Sequence, residues 1–301
     1  KHIQKTEENF VHYEKLKRQK EDLLRLDFLW KGCTPKIICE KDNEFDYYFD
    51  MEYLEGYETL DNVKGFEKFT ALDNLFIGMK DKIYSMKREV NGVEWLNNHF
   101  KNKIYSKFDA YSENPVLKKL IYSDNVFING KKYYGLDKIL SKIDKRIVKP
   151  NHIRPIHGDF TFENIMWNGN KIKLIDMDGS DSFDAAELDL GKMCQSVISR
   201  FNEWKDIEDI FTTADWKTNS FECNDDYFEI KKDNVYEIVM NRWSYILNDD
   251  KQTIETKGIF YMCMYFIRFV PFRMKQSEGH GIFALIMAIV WLSKIIGEKN
   301  D

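Results

Sequence analysis

A predicted β-hairpin in the middle of the chain constrains the fold more than any other feature of the sequence. Two mainly apolar runs, Asn164 to Trp167 and Lys171 to Asp176, lie on either side of Asn168-Gly169-Asn170. An Asn-Gly step between apolar runs is a strong signal for a tight turn joining two antiparallel strands. Together with the preceding run Arg154 to His157, these segments predict one short β patch.

Three polar clusters surround this hairpin: HGDFTFEN at 157–164, DMDG at 176–179 and FDAAELDLGK at 183–192. A loop carrying Asp159 and Asn164, followed by a hairpin that ends at Asp176, could bring three oxygen ligands or bases to one point. Mg²⁺ prefers such hard oxygen donors together with phosphate oxygens. Phosphoryl transfer depends mainly on positioning and charge neutralisation, with a carboxylate to orient the attacking hydroxyl. The clusters therefore predict a magnesium-dependent phosphoryl-transfer site.

The tetrad DMDG also fits a second chemistry when it is considered alone. In a magnesium phosphatase of the haloacid-dehalogenase type, Asp176 would be the nucleophile and Asp178 the acid/base. That fold requires a doubly wound sheet after the loop. Residues 187–296 are instead predicted to be helical, and HGDFTFEN would be left without a role. The phosphatase is kept as the alternative hypothesis.

The remaining sequence predicts an α+β protein. Helical periodicity covers 7–27, and PKIICE and FDYYFDMEYL are predicted as an antiparallel strand pair around the turn KDNE. From Gly65 onward the pattern is mostly helical, and the apolar run Ile282 to Leu292 is predicted to be part of a core helix. We expect a small β-rich part at 1–53 and a large, mainly helical part at 54–301 that holds the hairpin.

Composition and charge exclude several classes of function. The 45 Lys and Arg residues against 50 Asp and Glu residues give a net charge of -5, which disfavours nucleic acid or an anionic membrane as the main partner. The longest charge-free apolar run is well short of the ~20 residues that span a bilayer, and no signal peptide opens the sequence. Five scattered cysteines indicate neither a disulfide framework nor a structural zinc site. A soluble, cytoplasmic enzyme without a membrane span is expected.

The central motifs resemble a known family. HGD at 157–159, Asn164 after four further residues, and a strand that ends at Asp176 are similar to the aminoglycoside phosphotransferase and choline kinase-like proteins. The segment Asp184 to Leu190 also resembles a later motif of that family, with Ala185 where proline is usual. The resemblance implies a bilobal protein-kinase-like fold, whose small N-lobe is incomplete in this sequence. It extends to a branch associated with bacterial surface-polysaccharide biosynthesis.

The resemblance implies roles for individual residues. Asp159 would accept the proton of the substrate hydroxyl, while Asn164 and Asp176 would hold Mg²⁺ against the phosphates. Asp178 would be a second metal contact or a substrate contact. His157 and Asp189 are expected to support the loop structurally.

Nucleotide-binding residues are implied upstream. MEYLEGYETL at 51–60 resembles the hinge between lobes, where backbone groups near Glu52 and Leu54 would bind the adenine edge. Lys1 is the candidate phosphate-binding lysine. The sequence begins at Lys1 without an initiator Met and without a preceding glycine-rich loop, which leaves room for residues upstream.

The predicted function is therefore an ATP-dependent kinase that phosphorylates a hydroxyl group of a sugar, an amino alcohol such as choline, or an aminoglycoside-like compound, with Mg²⁺. Besides the phosphatase, a catalytically weak kinase-like protein that binds nucleotide or a partner stays open. The oligomeric state is not indicated by the sequence.

Overall fold

The computed structural model describes residues 2–4, 10–111, 113–178, 183–207, 209–215 and 218–297. Lys1, the predicted phosphate-binding lysine, lies outside the described residues. Small sheets and a larger share of helix make up the described chain, so the predicted α+β class is confirmed.

The strands are short. In chain order they are β1 (His2–Gln4), β2 (Ile37–Asp42), β3 (Asp46–Met51), β4 (Glu58–Thr59), β5 (Arg88–Glu89), β6 (Val126–Ile128), β7 (Lys131–Tyr133), β8 (His152–Pro155), β9 (Ile165–Trp167), β10 (Ile172–Leu174), β11 (Phe183–Ala185), β12 (Phe211–Asp215) and β13 (Ser220–Cys223).

The α-helices are α1 (Phe10–Leu29), α2 (Gly65–Gly78), α3 (Gly92–His99), α4 (Ser106–Tyr111), α5 (Pro115–Tyr122), α6 (Leu136–Lys142), α7 (Lys145–Val148), α8 (Ala186–Val197), α9 (Phe201–Trp204), α10 (Asn234–Leu247), α11 (Lys251–Gln276) and α12 (Glu278–Ile295). Two π-helical segments, Met79–Ile83 and Phe100–Tyr105, continue α2 and α3, and a short 3₁₀ turn covers Phe162–Asn164.

The chain forms two compact units. The first unit comprises 1–89, 152–193 and 237–248, and the second comprises 90–151, 194–236 and 249–301. The hinge-like segment and all three polar clusters around the hairpin belong to the first unit. The chemistry can therefore be described within that unit alone.

The predicted strand pair near the N-terminus is confirmed. β2 and β3 are antiparallel, with Glu40 opposite Phe49, and β1 adds to the other edge of β3. The side chains of Tyr47 and Phe49 are fully buried, as expected where one face of a small sheet packs on the core. Helix α1 follows the predicted helical stretch and ends at Leu29.

The central hairpin is also confirmed. β9 and β10 pair antiparallel, with Trp167 opposite Ile172, and β4 completes the sheet on the other edge of β9. In the turn, the side chain of Asn168 accepts hydrogen bonds from the N–H groups of Asn170 and Lys171. Gly169 has a φ of 85°, a conformation that glycine adopts without a steric penalty.

The expectation of a single β patch is wrong for its first strand. β8 pairs with β5, where Arg88 is opposite Ile153, and with β11, where Asp184 is opposite Arg154, rather than with the hairpin. Alternation of apolar and polar residues and turn residues indicate strands that pair with their neighbours in sequence. They could not identify these distant partners.

The second unit contains a sheet that the sequence did not predict. β6 and β7 form a hairpin across Asn129-Gly130, and β13 joins β6 in parallel and β12 antiparallel. The expectation of helix over 187–296 is therefore wrong at Phe211–Asp215 and Ser220–Cys223. These strands have three to five residues each, too few for a period to be measured.

The apolar run Ile282 to Leu292 is part of α12, as predicted for a core helix. Among the described residues, α12 is the helix whose length and apolar composition would allow it to cross a membrane, yet 78% of that window is buried inside the protein. Side chains such as Phe283, Ile286 and Trp291 are fully buried. Burial of each large apolar side chain stabilises the fold by roughly 1.5–3 kcal/mol.

Candidate active site

The loop between β8 and β9 is closed by its own hydrogen bonds. The amide Nδ2 of Asn164 donates to the backbone carbonyl of Asp159 at 2.8 Å, and the N–H of Thr161 donates to the same carbonyl at 2.9 Å. The N–H of Asn164 donates to the carbonyl of Thr161 at 3.1 Å. The separation of five residues allows the side chain of Asn164 to reach back to the backbone of Asp159. The side chain of Asp159 is 36% exposed.

The buried carboxylate of Asp189 holds the start of this loop. It accepts hydrogen bonds from the N–H groups of His157 at 2.9 Å and Gly158 at 2.8 Å, and from the Tyr84 hydroxyl at 2.7 Å. Burial raises the pKa of Asp189, and these donors together with the nearby His157 oppose the rise. Burial and the adjacent carboxylate raise the pKa of Tyr84 well above its ordinary value, which keeps its phenol protonated as a donor. The predicted supporting role of Asp189 is confirmed.

His157 is a support within the loop rather than an exposed base. Its side chain is 2% exposed, and its Nδ1 accepts a hydrogen bond of 3.2 Å from the N–H of Asp159. Burial lowers the pKa of His157, although the carboxylates of Asp189 and Asp159 oppose this. A neutral imidazole, with Nδ1 as acceptor, fits both observations.

The strand that leads to DMDG lies against this loop. The N–H of Ile175 donates to the carbonyl of Asn164 at 3.0 Å, and the N–H of Asp178 donates to the carbonyl of His157 at 3.3 Å. Between them Asp176 is exposed and has a φ of 54°, in the left-handed region that is uncommon for residues other than glycine. The predicted residues Asp159, Asn164, Asp176 and Asp178 therefore lie on two segments joined by hydrogen bonds.

Helix α1 contacts the second of these segments. Nζ of Lys15 lies 3.2 Å from Oδ1 of Asp178, and the side-chain amide of Gln19 donates to the carbonyl of Met177 at 2.8 Å. At position 158, a Cβ atom would lie 2.9 Å from Cβ of Asp178, and Gly158 has a φ of 84°. Asp178 is thus fixed by a lysine and by the close approach of a glycine.

The donor set around the loop fits Mg²⁺. The NH₂ group of Asn164 is engaged by Asp159, which leaves its amide oxygen as the chemically suitable ligand atom, and Asp176 supplies an exposed carboxylate. Mg²⁺ usually keeps several waters and binds one or two carboxylates together with substrate phosphates, so two protein ligands suffice. Within the described part of the chain, no group of three or more His, Cys, Asp and Glu side chains has a metal-binding arrangement. Asp178, with its lysine contact, is the less suitable ligand.

Lys192 was missed by the sequence analysis. Its Nζ lies 2.9 Å from Oδ1 of Asp159, and its side chain is 16% exposed. The available signal was the spacing in ELDLGK, because residues three apart on a helix lie on the same face, so Lys192 follows Asp189 toward the loop. Tyr84 was missed as well, since nothing local in its sequence points to a residue 105 positions away.

In each of the two predicted hinge residues, one backbone group forms a hydrogen bond. The N–H of Glu52 donates to the carbonyl of Lys36, and the carbonyl of Leu54 accepts from Tyr57. Among the residues that the structure describes, no hydrogen bond involves the carbonyl of Glu52 or the N–H of Leu54. These two groups are the acceptor and donor that an adenine edge requires. The Glu52 side chain contacts Lys173 at 3.4 Å.

A cavity in the first unit is lined in part by the hinge-like segment. Its volume is about 650 Å³, and its lining includes Trp30, Lys36, Glu52, Lys82 and Lys173. It contains none of the residues of the loop at 157–164 or of DMDG.

The antiparallel strand that precedes Asp176 does not fit the phosphatase alternative. β10 is antiparallel to β9, whereas the phosphatase loop follows a strand of a doubly wound parallel sheet. Across the described ranges, β6 and β13 form the one parallel pair, and they belong to the other unit.

Comparison with known proteins gives similarity in structure alone. No protein-family model and no curated protein sequence matches the chain. Choline kinase LicA from Streptococcus pneumoniae is 13% identical with a TM-score of 0.42, covering 97% of this chain and 85% of that one. An ethanolamine kinase of Plasmodium vivax is 16% identical with a TM-score of 0.48, covering 92% and 71%. A choline/ethanolamine kinase family protein from Mesorhizobium loti is 9% identical with a TM-score of 0.39, covering 95% and 85%.

Proposed function

We propose that this chain is a small-molecule kinase with a protein-kinase-like fold, which transfers the γ-phosphoryl group of ATP to a hydroxyl group. One observation carries the proposal: the loop at 157–164 is closed by hydrogen bonds to the backbone carbonyl of Asp159, its Asp159 carboxylate is partly exposed, and it is hydrogen bonded to the strand end that presents Asp176. Kinase chemistry needs such an arrangement, because positioning and charge neutralisation provide most of the catalysis.

In the proposed reaction, Asp159 accepts the hydrogen bond of the acceptor hydroxyl and takes its proton as the new O–P bond forms. The bond from the γ-phosphorus to the bridging oxygen of ATP breaks, and ADP leaves. Asn164 and Asp176 would hold Mg²⁺, which supplies neutralisation of the phosphate charge when bound. Buried Asp189, Tyr84 and His157 keep the loop in place.

The proposed nucleotide contacts lie in the hinge-like segment at 51–60. The carbonyl of Glu52 and the N–H of Leu54 are suited to an adenine edge. The role of Lys1 stays a prediction, as does the boundary between the two lobes at 53 and 54. Asp178 stays a candidate metal or substrate contact, and a small hydroxyl compound and ATP are the proposed partners of a cytoplasmic enzyme.

The test is transfer of labelled γ-phosphate from Mg²⁺-ATP to a panel of sugars, choline, ethanolamine and aminoglycosides. We expect product with the wild-type protein, and loss by roughly 10²-fold or more in Asp159→Asn and Asp176→Asn, as for removal of a general base or a charge-neutralising group. Asp137→Asn, which changes an exposed aspartate on α6, is the matched control and should retain activity. Chelation of Mg²⁺ should abolish transfer.

Two outcomes would contradict the proposal. Hydrolysis of p-nitrophenyl phosphate that persists in Asp159→Asn but not in Asp176→Asn would favour the phosphatase. Binding of ATP without transfer to any acceptor would favour a kinase-like binding protein.

A further inference from the structure

Lys192 lies at the point where the proposed acceptor must bind. Its Nζ is 2.9 Å from Oδ1 of Asp159, and the lysine side chain is the more enclosed of the two, 16% exposed against 36%. A carboxylate has two oxygens, so Oδ2 of Asp159 can still accept a hydrogen bond from a hydroxyl while Lys192 contacts Oδ1. The lysine and the acceptor hydroxyl therefore share one carboxylate.

Helix α8 fixes this arrangement at two points. Asp189 accepts hydrogen bonds from the backbone of His157 and Gly158, and Lys192, three residues further along the helix, reaches the side chain of Asp159. Residues three apart lie on the same helix face. Because Asp189 is fully buried, its hydrogen bonds hold this face of α8 against the loop in addition to the partly exposed ion pair of Lys192 with Asp159.

We infer that Lys192 is a specificity-determining residue that selects the acceptor by charge, against compounds with a cation beside the reacting hydroxyl. This inference rests on the proposed function. The acceptor class is then a neutral or anionic hydroxyl compound, such as a sugar or polyol, rather than a choline-like or ethanolamine-like amino alcohol.

The electrostatic argument has two parts. An isolated Asp159 carboxylate would attract an ammonium group located two carbons from the bound hydroxyl. The Lys192 ammonium repels that group, and because Lys192 is more enclosed than Asp159, its charge is less screened by solvent and the repulsion is the larger effect. Two unit charges of the same sign about 6 Å apart, at an effective dielectric constant of about 20, repel each other by an amount equal to roughly 10²-fold in affinity. The opposing attraction of Asp159 and screening by solvent reduce this repulsion, and about tenfold is the expected effect on affinity.

The neighbouring acid of the site is paired in the same way. Asp178 lies 3.2 Å from Nζ of Lys15, so its carboxylate is also neutralised by a lysine. The two ion pairs, Asp159 with Lys192 and Asp178 with Lys15, come from different helices. Both reduce the attraction of this part of the first unit for a cationic acceptor.

The experiment compares acceptors that differ mainly in charge. The pairs are 3,3-dimethylbutan-1-ol with choline, ethylene glycol with ethanolamine, and N-acetylglucosamine with glucosamine, each assayed for phosphoryl transfer from Mg²⁺-ATP. In the wild-type protein we expect kcat/KM for the neutral member to exceed that for the cationic member by about tenfold or more. Lys192→Met should reduce this ratio about tenfold, mainly through a lower KM for the cationic member, and Lys192→Arg should preserve it.

Controls separate a charge effect from a loss of structure. Lys41→Met removes an exposed lysine of β2 and should leave the ratio unchanged. If Lys192→Met does not fold, as judged by thermal unfolding, the ionic strength dependence of the wild-type ratio gives the same information. Added salt should raise the relative use of the cationic acceptors, because it screens the repulsion.

The outcomes separate this inference from the proposed function. Phosphorylation of choline or ethanolamine at least as efficient as that of the neutral partner, with a ratio that Lys192→Met and salt leave unchanged, would overturn the charge selection and leave the kinase proposal intact. Absence of transfer to every acceptor would overturn the proposed function, and the inference with it.

Discussion

Gly158 is the residue whose replacement should damage the site most directly. Its φ of 84° disfavours any side chain, and a Cβ atom would also lie 2.9 Å from Cβ of Asp178. The left-handed conformation alone costs an L-residue roughly 1–2 kcal/mol. We expect Gly158→Ala to lower the free energy of unfolding by more than that amount and to reduce phosphoryl transfer at least tenfold, measured by urea unfolding and steady-state kinetics.

Gly32→Ala is the matched control for this prediction. Gly32 has a φ of 82°, and a Cβ atom there would meet nothing within 4 Å. It should therefore show the conformational cost alone and retain activity. Equal losses of unfolding free energy and of activity in the two variants would mean that the close approach of Gly158 to Asp178 does not matter for stability or catalysis.

Tyr84 offers a second test at the scale of single residues. Tyr84→Phe removes the hydroxyl that donates to buried Asp189 at 2.7 Å. A hydrogen bond to a charged group contributes about 1.5–3 kcal/mol, and its loss leaves a buried carboxylate with fewer donors. We expect a loss of unfolding free energy in that range, together with lower activity because Asp189 holds the loop.

The control uses another buried tyrosine with a neutral partner. The hydroxyl of Tyr111 donates to the backbone carbonyl of Ile267 at 2.6 Å. Tyr111→Phe should cost only about 1 kcal/mol, the usual value for a neutral hydrogen bond. A cost for Tyr84→Phe no larger than that for Tyr111→Phe would contradict the proposed charge-assisted bond.

Residue spacing predicted part of the candidate site and could not predict the rest. The five-residue separation of Asp159 and Asn164 is a local property, and the structure uses it to close the loop. Lys192 and Tyr84 act through the rotation of a helix and through a contact made across 105 positions of sequence. Such contacts depend on tertiary packing, which spacing in a single sequence does not encode.

At the scale of elements, two hairpins with the same turn signal had different outcomes. Asn168-Gly169 was recognised as a hairpin, because longer apolar runs lie on both sides. Asn129-Gly130 lies in the stretch that is predicted to be mostly helical, although both residues have positive φ values, 47° and 74°, as in the tight turns that favour hairpins. The flanking strands β6 and β7 have three residues each, so the turn residues alone carried the signal.

Asn129 also holds the sheet of the second unit together. Its side-chain amide donates to the carbonyl of Cys223 and accepts from the N–H of the same residue, each at 2.9 Å. Asn129→Ala loses both hydrogen bonds and places alanine at a positive φ, so we expect a loss of about 1–3 kcal/mol in unfolding free energy. Asn129→Asp, which keeps the acceptor oxygen, should lose less.

Hydrogen exchange would locate this effect. Amides of β6 and β13 should exchange faster in Asn129→Ala, while those of β9 and β10 in the first unit should stay protected. Uniform acceleration in all four strands would show that Asn129 does not act on its own sheet.

At the scale of the whole molecule, two buried histidines should make the protein sensitive to acid. Burial, with Arg268 and Lys103 nearby, lowers the pKa of His99 to about 3, and burial also lowers that of His157. Because these histidines bind a proton less readily in the folded protein than in the unfolded chain, acid favours unfolding. Their contribution to stability is complete above about pH 6.5 and is lost as the pH falls below that value. Each such histidine can cost up to about 1.4 kcal/mol per pH unit.

Thermal unfolding between pH 7.5 and 5 measures this sensitivity. We expect the midpoint to fall with pH in the wild-type protein and to fall less in His99→Gln. Because burial raises the pKa of Asp22 and Asp189, these groups act in the opposite direction, so the comparison between variants is the informative one. His12→Gln, at an exposed position of α1, is the control, and an identical pH dependence of His99→Gln and wild type would refute the prediction.

The bonds that Asp189 accepts have a consequence for redesign of the protein. The geometry of the loop depends on buried groups, Asp189 and Tyr84, whereas the charges near the proposed acceptor position come from Lys15 and Lys192 on other side chains. Shape and selectivity are therefore separable. A library that randomises positions 15 and 192 while retaining the buried pair should yield variants with altered acceptor preference and an unchanged melting temperature.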